Sequence, residues 1–136
     1  MDRRAFLGAT AGVVAVGLAG CTGQSREDYN IGMSSNAFLQ PDGFEPQIGE
    51  PVTWRNTGGR THTVTAYESA IPDEASFFAS GGFEGTDAAR DAWLQRGGGA
   101  VASGETFEVT FEVPGSYDYF CAPHEKYMQA RFTVVE

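Results

Sequence analysis

The clearest regular pattern in this chain is an alternation of apolar and polar side chains over residues 107–113. Phe and Val occupy the odd positions, and Glu and Thr lie between them. A two-residue period of this kind predicts a half-buried β-strand. Pro114-Gly115 then predicts a turn, and residues 117–120 (Tyr-Asp-Tyr-Phe) predict a strand that runs back. This hairpin-like pattern indicates a β-sheet and places Cys121 at the end of a strand.

The same alternation recurs elsewhere in the chain. It covers residues 52–55, which follow the turn sequence Gly49-Glu50-Pro51, and residues 62–67, and a last strand is predicted at residues 132–135. Consecutive strands with turn residues between them predict an all-β fold, an antiparallel sandwich or barrel. The length after residue 20 fits one domain.

Residues 69–104 interrupt the strand pattern. Pro72-Asp73-Glu74 predicts the start of a short helix that ends at Gly81-Gly82. Thr86 predicts the N-cap of a second helix, which ends at the glycines of residues 97–99. The predicted apolar face of this second helix is Ala89, Ala92 and Trp93. We interpret the segment as an excursion that covers one edge or end of the sandwich, and a functional lid is the alternative.

Several residue types that bind metals follow the strand that ends at residue 120. Cys121, His124 and Met128 lie within eight residues of one another, and His62 is the only other histidine in the chain. One Cys, two His and a distant Met are the ligands of a trigonal blue-copper electron-transfer site. Zinc is the alternative ion, but a structural zinc site requires four strong ligands and Met is a poor one. The sequence therefore predicts one type 1 copper ion.

Two polar residues are predicted to support these ligands. Asn56 and Thr63 are candidates to donate hydrogen bonds near the Cys121 sulfur or its loop, where such partners tune a metal site. The alternative for Asn56 is an ordinary turn residue, because Gly58 follows it closely. Pro123 is expected to stiffen the loop and so to reduce the entropy lost on ordering it.

The first twenty residues have the order of an export signal. Arg3-Arg4 precedes an apolar stretch over residues 9–20, which is shorter than the roughly 20 residues that span a bilayer. This start resembles a twin-arginine signal, and Leu18-Ala19-Gly20-Cys21 resembles a lipobox. We therefore predict a signal peptide over residues 1–20, a lipidated Cys21 with a polar tether over residues 21–30, and a folded domain over residues 31–136. The alternative is a short buried helix.

The two cysteines have different predicted roles. In an exported chain, two cysteines suggest a disulfide by default. Cys21 lies at the predicted processing point, however, and Cys121 lies among metal-binding residue types. A Cys21–Cys121 disulfide is therefore the weaker alternative.

The charge of the chain is strongly acidic. Without residues 1–20 it has 17 acidic and seven basic side chains, a net charge of −10, and its one lysine is Lys126. Nucleic acid is excluded as a partner because binding to phosphates requires a basic patch. The scarcity of lysine is typical of proteins from high salt, and an ordinary acidic surface is the alternative.

Several motifs together resemble a known family. They are Phe44-x-Pro46, Gly49-x-x-Val52-x-Trp54-x-Asn56, His62 and Tyr119-Phe120-Cys121-x-Pro123-His124-x-x-x-Met128. This set resembles the small blue copper proteins of the plastocyanin and halocyanin type, and residues 80–83 and 88–93 are similar to halocyanins in particular. The resemblance covers residues 31–136. It implies the cupredoxin fold, a Greek-key β-sandwich or barrel with a short helical excursion between strands.

The resemblance also implies which residues bind copper and which surface exchanges electrons with a partner. His62, Cys121 and His124 would hold the copper ion, with Met128 as a weak axial ligand. Here three residues separate His124 from Met128 and Tyr127 replaces a common Gly, whereas four residues are usual in this family. If Met128 does not reach, the site is three-coordinate or binds a backbone oxygen. The edge of His124, flanked by Pro123 and Tyr127, would be the route for electrons.

The implied function is that of a monomeric electron carrier between membrane redox complexes, exported and anchored to the outer face of the cytoplasmic membrane. A copper enzyme would need further His-rich centres, and both histidines are already used. A copper-delivery or storage lipoprotein is the other alternative. Such proteins usually expose Met-rich or His-rich segments, and this chain has only three Met.

Overall fold

The structure, a computed structural model, describes residues 29–136. The predictions about the export signal, the lipidated Cys21 and nearly all of the tether lie outside these residues. The described chain forms, in order, β1 (Ile31–Met33), β2 (Phe38–Leu39), β3 (Pro51–Asn56), β4 (Thr65–Ala66), α1 (Thr86–Arg96), β5 (Thr106–Thr110), β6 (Gly115–Phe120) and β7 (Gln129–Val134). Short 3-10 turns cover Glu68–Ala70 and Ala122–His124. Between residues 29 and 136, no helix has the length and apolar character needed to cross a membrane.

The strands form two sheets, which confirms the all-β sandwich. One sheet has the order β2-β1-β3-β5 and the other has the order β4-β6-β7. β1 runs parallel to β3, with Ile31 opposite Trp54, so the expectation of a purely antiparallel fold was wrong at this pair. The remaining strand pairs are antiparallel.

The predicted hairpin around Pro114 is wrong in its pairing. β5 pairs with β3, and β6 pairs with β4 and β7, so the turn at Pro114-Gly115 carries the chain from one sheet to the other. Burial explains the crossing, because Phe111 leaves the end of β5 to enter the core. There its ring packs 4.7 Å from the ring of Tyr117 in β6.

Aromatic side chains fill the space between the sheets. Trp54 from β3 lies 5.3 Å from the ring of Tyr119 and 6.1 Å from that of Phe132, which belong to the opposite sheet. All three side chains are buried. Aromatic pairs at such distances contribute about 0.5–1.5 kcal/mol beyond the burial of their area. The wall of the metal site is therefore built on a rigid core.

The predicted strand over residues 62–67 is shorter and more buried than its alternation indicated. Only Thr65–Ala66 forms a strand, and His62 makes an isolated bridge to Val101. Residues 62–66 are all buried, whereas alternation predicts one exposed face. The excursion explains the difference, because Ala79 bridges Thr65 and residues 99–101 lie along the same segment.

The excursion contains one of the two predicted helices. Residues 72–81 contain no helix, and the chain there makes turns instead. α1 ends at Gly97, whose φ of 68° is left-handed, as the glycine run predicted. The Thr86 cap is wrong, since Gly85 is the N-cap. The Thr86 hydroxyl instead donates to the Ala66 carbonyl and accepts from the Glu68 N–H, both at 2.9 Å, which fixes α1 against β4.

Candidate metal centre

His62 lies at one wall of the site and is fully buried. Its backbone N–H donates to the Val101 carbonyl at 3.2 Å, and the Val101 N–H donates to the His62 carbonyl at 2.7 Å. The Asn56 amide donates to the carbonyls of Val101 at 2.8 Å and of Arg60 at 2.6 Å. Asn56 therefore holds both the residues just before His62 and the segment that pairs with His62. It does not donate to the Cys121 sulfur or its loop, as the sequence had suggested, because its amide is used here.

The ligand loop, residues 121–128, supplies the opposite wall. β6 ends at Phe120, so Cys121 is the first residue after the strand. The Cys121 N–H donates to the Met128 carbonyl at 3.0 Å, and the N–H groups of His124 and Met128 donate to the carbonyls of Cys121 and His124 at 3.0 and 2.9 Å. The candidate ligands of this loop are thus tied to one another through the backbone.

Three donor atoms converge between these walls. The Cys121 Sγ lies 3.4 Å from His62 Nδ1 and 3.5 Å from His124 Nδ1. The imidazole rings meet edge to face, with centroids 5.1 Å apart. Metal bonds to His nitrogen and Cys sulfur are about 2.0–2.3 Å long, so a triangle of this size lets all three atoms bind one ion. The set of two nitrogens and one sulfur fits type 1 copper.

Met128 is the fourth candidate ligand. Its side chain is buried and belongs to the same core cluster as Cys121. The shortened spacing between His124 and Met128 still leaves Met128 inside the protein, because its backbone pairs with Cys121 and closes the loop. The burial of Met128 and its backbone pairing with Cys121 are consistent with the weak fourth contact that type 1 sites use.

Thr63 contacts the Cys121 side of the site, as predicted. Its backbone N–H lies 3.5 Å from Sγ, and its hydroxyl accepts a 2.7 Å hydrogen bond from the Ala122 N–H. Burial raises the pKa of the Cys121 thiol, and the Thr63 N–H lowers it in part. A bound metal ion deprotonates a ligating thiol, and this N–H then donates to the thiolate.

Both histidines are set to be neutral, the form that binds metal. Burial is the largest cause that lowers the pKa of His62, and His124 and Arg60 lower it further, while the Ser34 carbonyl raises it. Burial and the charge of Arg60 also lower the pKa of His124. The buried His62 Nε2 makes no full hydrogen bond within residues 29–136, so the Ser34 carbonyl offsets the effect of burial only in part. Arg60, which the sequence analysis had not singled out, is thus a cation whose charge acts on both histidines.

The exposed side of the centre is formed by the loop itself. His124 and Pro123 are half-buried, and Tyr127 is 58% exposed. The Tyr127 ring lies 5.8 Å from the His124 ring at an angle of 33°. Residues 122–127 line an open depression of about 380 Å³ here. The three predicted surface residues therefore lie together at the site.

Sequence reasoning also missed an ion pair on the ligand loop. Arg90 from α1 donates to Glu125, the residue after His124, and Tyr67 donates to the same carboxylate. The only signal in the sequence was the position of Glu125 beside a candidate ligand. A partner 35 residues away cannot be identified from a pattern.

Comparisons with known proteins identify the family. Residues 29–135 match the model of the copper-binding proteins of the plastocyanin/azurin family. The chain is 31% identical to chloroplastic plastocyanin of Oryza sativa subsp. indica over 126 residues, which cover 89% of this chain and 73% of that protein. It is similarly 31% identical to chloroplastic plastocyanin of Hordeum vulgare over 127 residues, covering 89% and 73%.

Solved structures agree with this assignment. Amicyanin from Paracoccus versutus superposes with a TM-score of 0.52 at 29% identity, over 79% of this chain and 81% of that one. The copper-containing nitrite reductase of Thermus scotoductus gives a TM-score of 0.57 at 21% identity, but the match covers only 22% of that chain. The likeness to the reductase is one of fold alone. The chain belongs to the plastocyanin/azurin family of copper-binding proteins and is a small type 1 copper electron carrier, not an enzyme.

Proposed function

We propose that this protein carries single electrons between membrane redox complexes on the outer face of the cytoplasmic membrane, to which Cys21 anchors it. The observation that supports this proposal best is the asymmetry of the donor triangle. One imidazole, that of His62, is fully buried, and the other, that of His124, lies half-buried in an exposed loop. A carrier needs one ligand that exchanges electrons with a partner and others that are shielded from water.

Different residues around the site shield the metal, bind it and form the contact surface for a partner. Copper supplies the one-electron Cu(I)/Cu(II) couple when it is bound. His62 and Cys121 close the inner side of the site in the core, and the Thr63 N–H faces the thiolate. Met128 acts as the weak axial ligand in this proposal. The His124 edge, with Pro123 and Tyr127 beside it, provides the contact surface.

The sequence outside the described residues supports export and anchoring. A lipid on Cys21 would hold the domain near its membrane partners through the tether over residues 21–30. The acidic composition, with one lysine in the chain, supports work in high salt. Both statements are proposals that processing and salt dependence can test.

The first experiment measures the copper-loaded protein from residue 21 to 136. We expect an intense blue charge-transfer band, a type 1 EPR spectrum and a reversible one-electron titration with one copper per chain. Cys121→Ser should abolish the band, and Met128→Leu should keep a blue site but raise its potential, because loss of a weak donor disfavours Cu(II). A colourless protein that binds several copper ions would instead support the copper-delivery or storage alternative.

The second experiment tests anchoring. Intact-mass analysis of the natural protein should show a diacylated Cys21 as the first residue, and the protein should fractionate with membranes. Cys21→Ser should release it while leaving copper binding intact. A mature protein without lipid, or one that begins elsewhere, would contradict the anchor but not the electron-carrier function.

A further inference from the structure

One guanidinium group from the helical excursion contacts both the ligand loop and Phe120, the residue just before it. Arg90 donates from Nε to Glu125 Oε1 at 2.9 Å and from Nη2 to Glu125 Oε2 at 2.6 Å. Its guanidinium carbon also lies 5.0 Å from the centroid of the Phe120 ring. We call Arg90, Glu125, Phe120 and Tyr67 the Arg90 clamp.

The two contacted residues bracket the metal ligands in sequence. Phe120 immediately precedes Cys121, and Glu125 immediately follows His124. Arg90 therefore joins the two ends of the segment that carries a thiolate ligand and an imidazole ligand. The contact comes from α1, which in turn is fixed to β4 through Thr86. The ligand segment is thus connected to the body of the protein by a path that does not use its own backbone.

Tyr67 completes the clamp from the end of β4. Its hydroxyl donates to Glu125 Oε2 at 2.8 Å, and its ring stacks on Phe120 with centroids 4.4 Å apart. Burial and the hydrogen bond to Glu125 raise the pKa of Tyr67, so it remains a donor. Glu125 therefore accepts hydrogen bonds from two separate elements, α1 and the residue that follows β4.

A second ion pair in the protein allows a comparison with the Arg90–Glu125 pair. Arg131 and Asp118 also form a bidentate pair, at 2.6 and 3.0 Å, on the β6–β7 pair. The Arg131 side chain is 67% exposed, whereas the Arg90 side chain is 35% exposed and carries aromatic rings against it. Exposed pairs stabilise little, and partly buried bidentate pairs stabilise more. The Arg90 pair should therefore be the more persistent of the two.

We propose that Arg90 is a positioning residue for the copper ligands, and that the excursion carries it to hold residues 120–125 in the ligand-binding geometry whether or not metal is bound. A site that is already arranged reorganises less between oxidation states, which favours electron transfer. This inference uses the copper-site assignment but not the proposed anchor or partners. Measurement on the metal-free protein makes it testable apart from either.

The test measures motion of the loop directly. We would record ¹⁵N relaxation and amide hydrogen exchange of the metal-free chain from residue 21 to 136, which is diamagnetic, for Arg90→Gln, Arg90→Lys and the control Arg131→Gln. The control removes the same charge and the same kind of pair away from the loop. In Arg90→Gln, amides of residues 122–127 should exchange about three- to tenfold faster, since pairs of this kind contribute about 0.6–1.4 kcal/mol. Arg90→Lys should be nearly as mobile, because lysine lacks the bidentate fork.

Copper-loaded protein gives the second readout. Arg90→Gln should broaden the parallel hyperfine lines of the Cu(II) EPR spectrum, as expected for a spread of ligand geometries, and Arg131→Gln should not. The double variant Arg90→Gln/Glu125→Gln separates position from charge. If Arg90 positions the loop, the double variant stays mobile, although its net charge equals that of the parent protein.

Three results would overturn the proposal. They are unchanged dynamics in a folded Arg90→Gln protein, an equal effect of Arg131→Gln on the loop, or recovery of the parent dynamics in the double variant. The near-ultraviolet circular dichroism of Trp54 and its aromatic neighbours reports whether each variant is folded. If Arg90→Gln does not fold, Tyr67→Phe keeps the ring and removes only the hydrogen bond to Glu125. It should then loosen the loop in the same direction, and an unchanged loop in that variant would contradict the clamp.

Discussion

The two walls of the copper site are held in different ways. The segment over residues 62–66 is fully buried and is fixed mainly by backbone bonds, such as those that join His62 to Val101 and Val64 to Ser80. The ligand loop is only partly buried, and side chains fix it from outside. The segment over residues 62–66 is thus part of the core, whereas the ligand loop lies at the surface and is held in part by side chains of other elements.

This difference agrees with what each wall does. A carrier must exclude water from most of the metal site while keeping one edge open to a partner. Burial of His62 excludes water from one side of the metal site and leaves the His124 edge open to a partner. His124 is not buried in the same way, so contacts such as that between Arg90 and Glu125 add to the backbone bonds within its loop.

The largest effect should come from removing each histidine. His62→Ala and His124→Ala should both lose the blue band, since each removes a strong ligand. Added imidazole should restore a blue site in His124→Ala, because the gap opens at the surface next to Pro123 and Tyr127. It should fail in His62→Ala, whose gap lies in the core. Optical titration with imidazole measures both, and equal rescue would show that the walls do not differ in access.

The next effect concerns stability. Asn56→Ala should lower the free energy of unfolding of the metal-free protein by about 2–3 kcal/mol, because it removes the amide hydrogen bonds to the Val101 and Arg60 carbonyls and the bond that the Asn56 oxygen accepts from the Gly58 N–H. Urea denaturation measures this. Asn30→Ala is a matched control, since its carbonyl oxygen accepts one exposed bond from the Thr53 N–H at 2.8 Å. It should cost clearly less, and an equal cost would mean that the Asn56 bonds add nothing through burial.

Much of this fold could be predicted from the sequence, and the errors have a common cause. Residues 52–55 lie in β3 as predicted, and the strand predicted over residues 107–113 is β5, which ends earlier, at Thr110. The alternation over residues 62–67 indicated an exposed face that does not exist, because Ser80 and Val101 from a distant segment cover it. Local patterns show which residues suit a strand, but not what later packs on it.

The site shows the same limit. Cys121, His124 and Met128 could be found because they lie close together in the chain, and His62 because no other histidine was left. Arg90 and Tyr67 could not, since each reaches the ligand loop from a different element. Arg60 lies only two residues before His62, but the pattern does not show that its charge also acts on His124. Thr86 was assigned as a helix cap on local grounds, but its hydroxyl serves a tertiary contact with Ala66. Contacts between segments far apart in sequence need the structure.

A smaller effect should appear in the pH dependence of stability without metal. The pKa of His62 in the folded protein is lowered, chiefly by burial, from the unfolded value of 6.5. Below pH 6.5, His62 is protonated in the unfolded chain but stays neutral in the folded protein until the pH is lower still. The stability that is present above pH 6.5 is therefore lost as the pH falls. Each unit by which the pKa is lowered corresponds to about 1.4 kcal/mol. Urea denaturation between pH 7 and pH 5 should show this slope.

Substitution of each histidine by glutamine sharpens the comparison. His62→Gln should remove more of this slope than His124→Gln, because His62 is fully buried and His124 is not. Only slopes are compared, so a difference in overall stability between the variants does not matter. A larger change in His124→Gln would mean that the exposed wall is the more strongly desolvated one.

The smallest effect should be on electron exchange with the natural redox partners. The Debye length is about 3 Å at 1 M salt, so in high salt the acidic surface cannot steer a partner from a distance. Short-range contact at the His124 edge should then decide recognition. Tyr127→Glu should slow the reduction of the protein by isolated membranes about three- to tenfold, or about 0.6–1.4 kcal/mol.

Ile48→Glu is the control, because Ile48 is also exposed, at 39%, but lies far from the ligand loop. Its backbone N–H donates to the Val135 carbonyl, just past the C-terminal end of β7, whereas the ligand loop precedes the N-terminal end of that strand. It should have little effect, and neutralising two distant carboxylates, Glu74 and Glu112, should have less effect than Tyr127→Glu at the working salt concentration. A larger effect of the carboxylates would show that charge, not the exposed wall of the site, selects the partner.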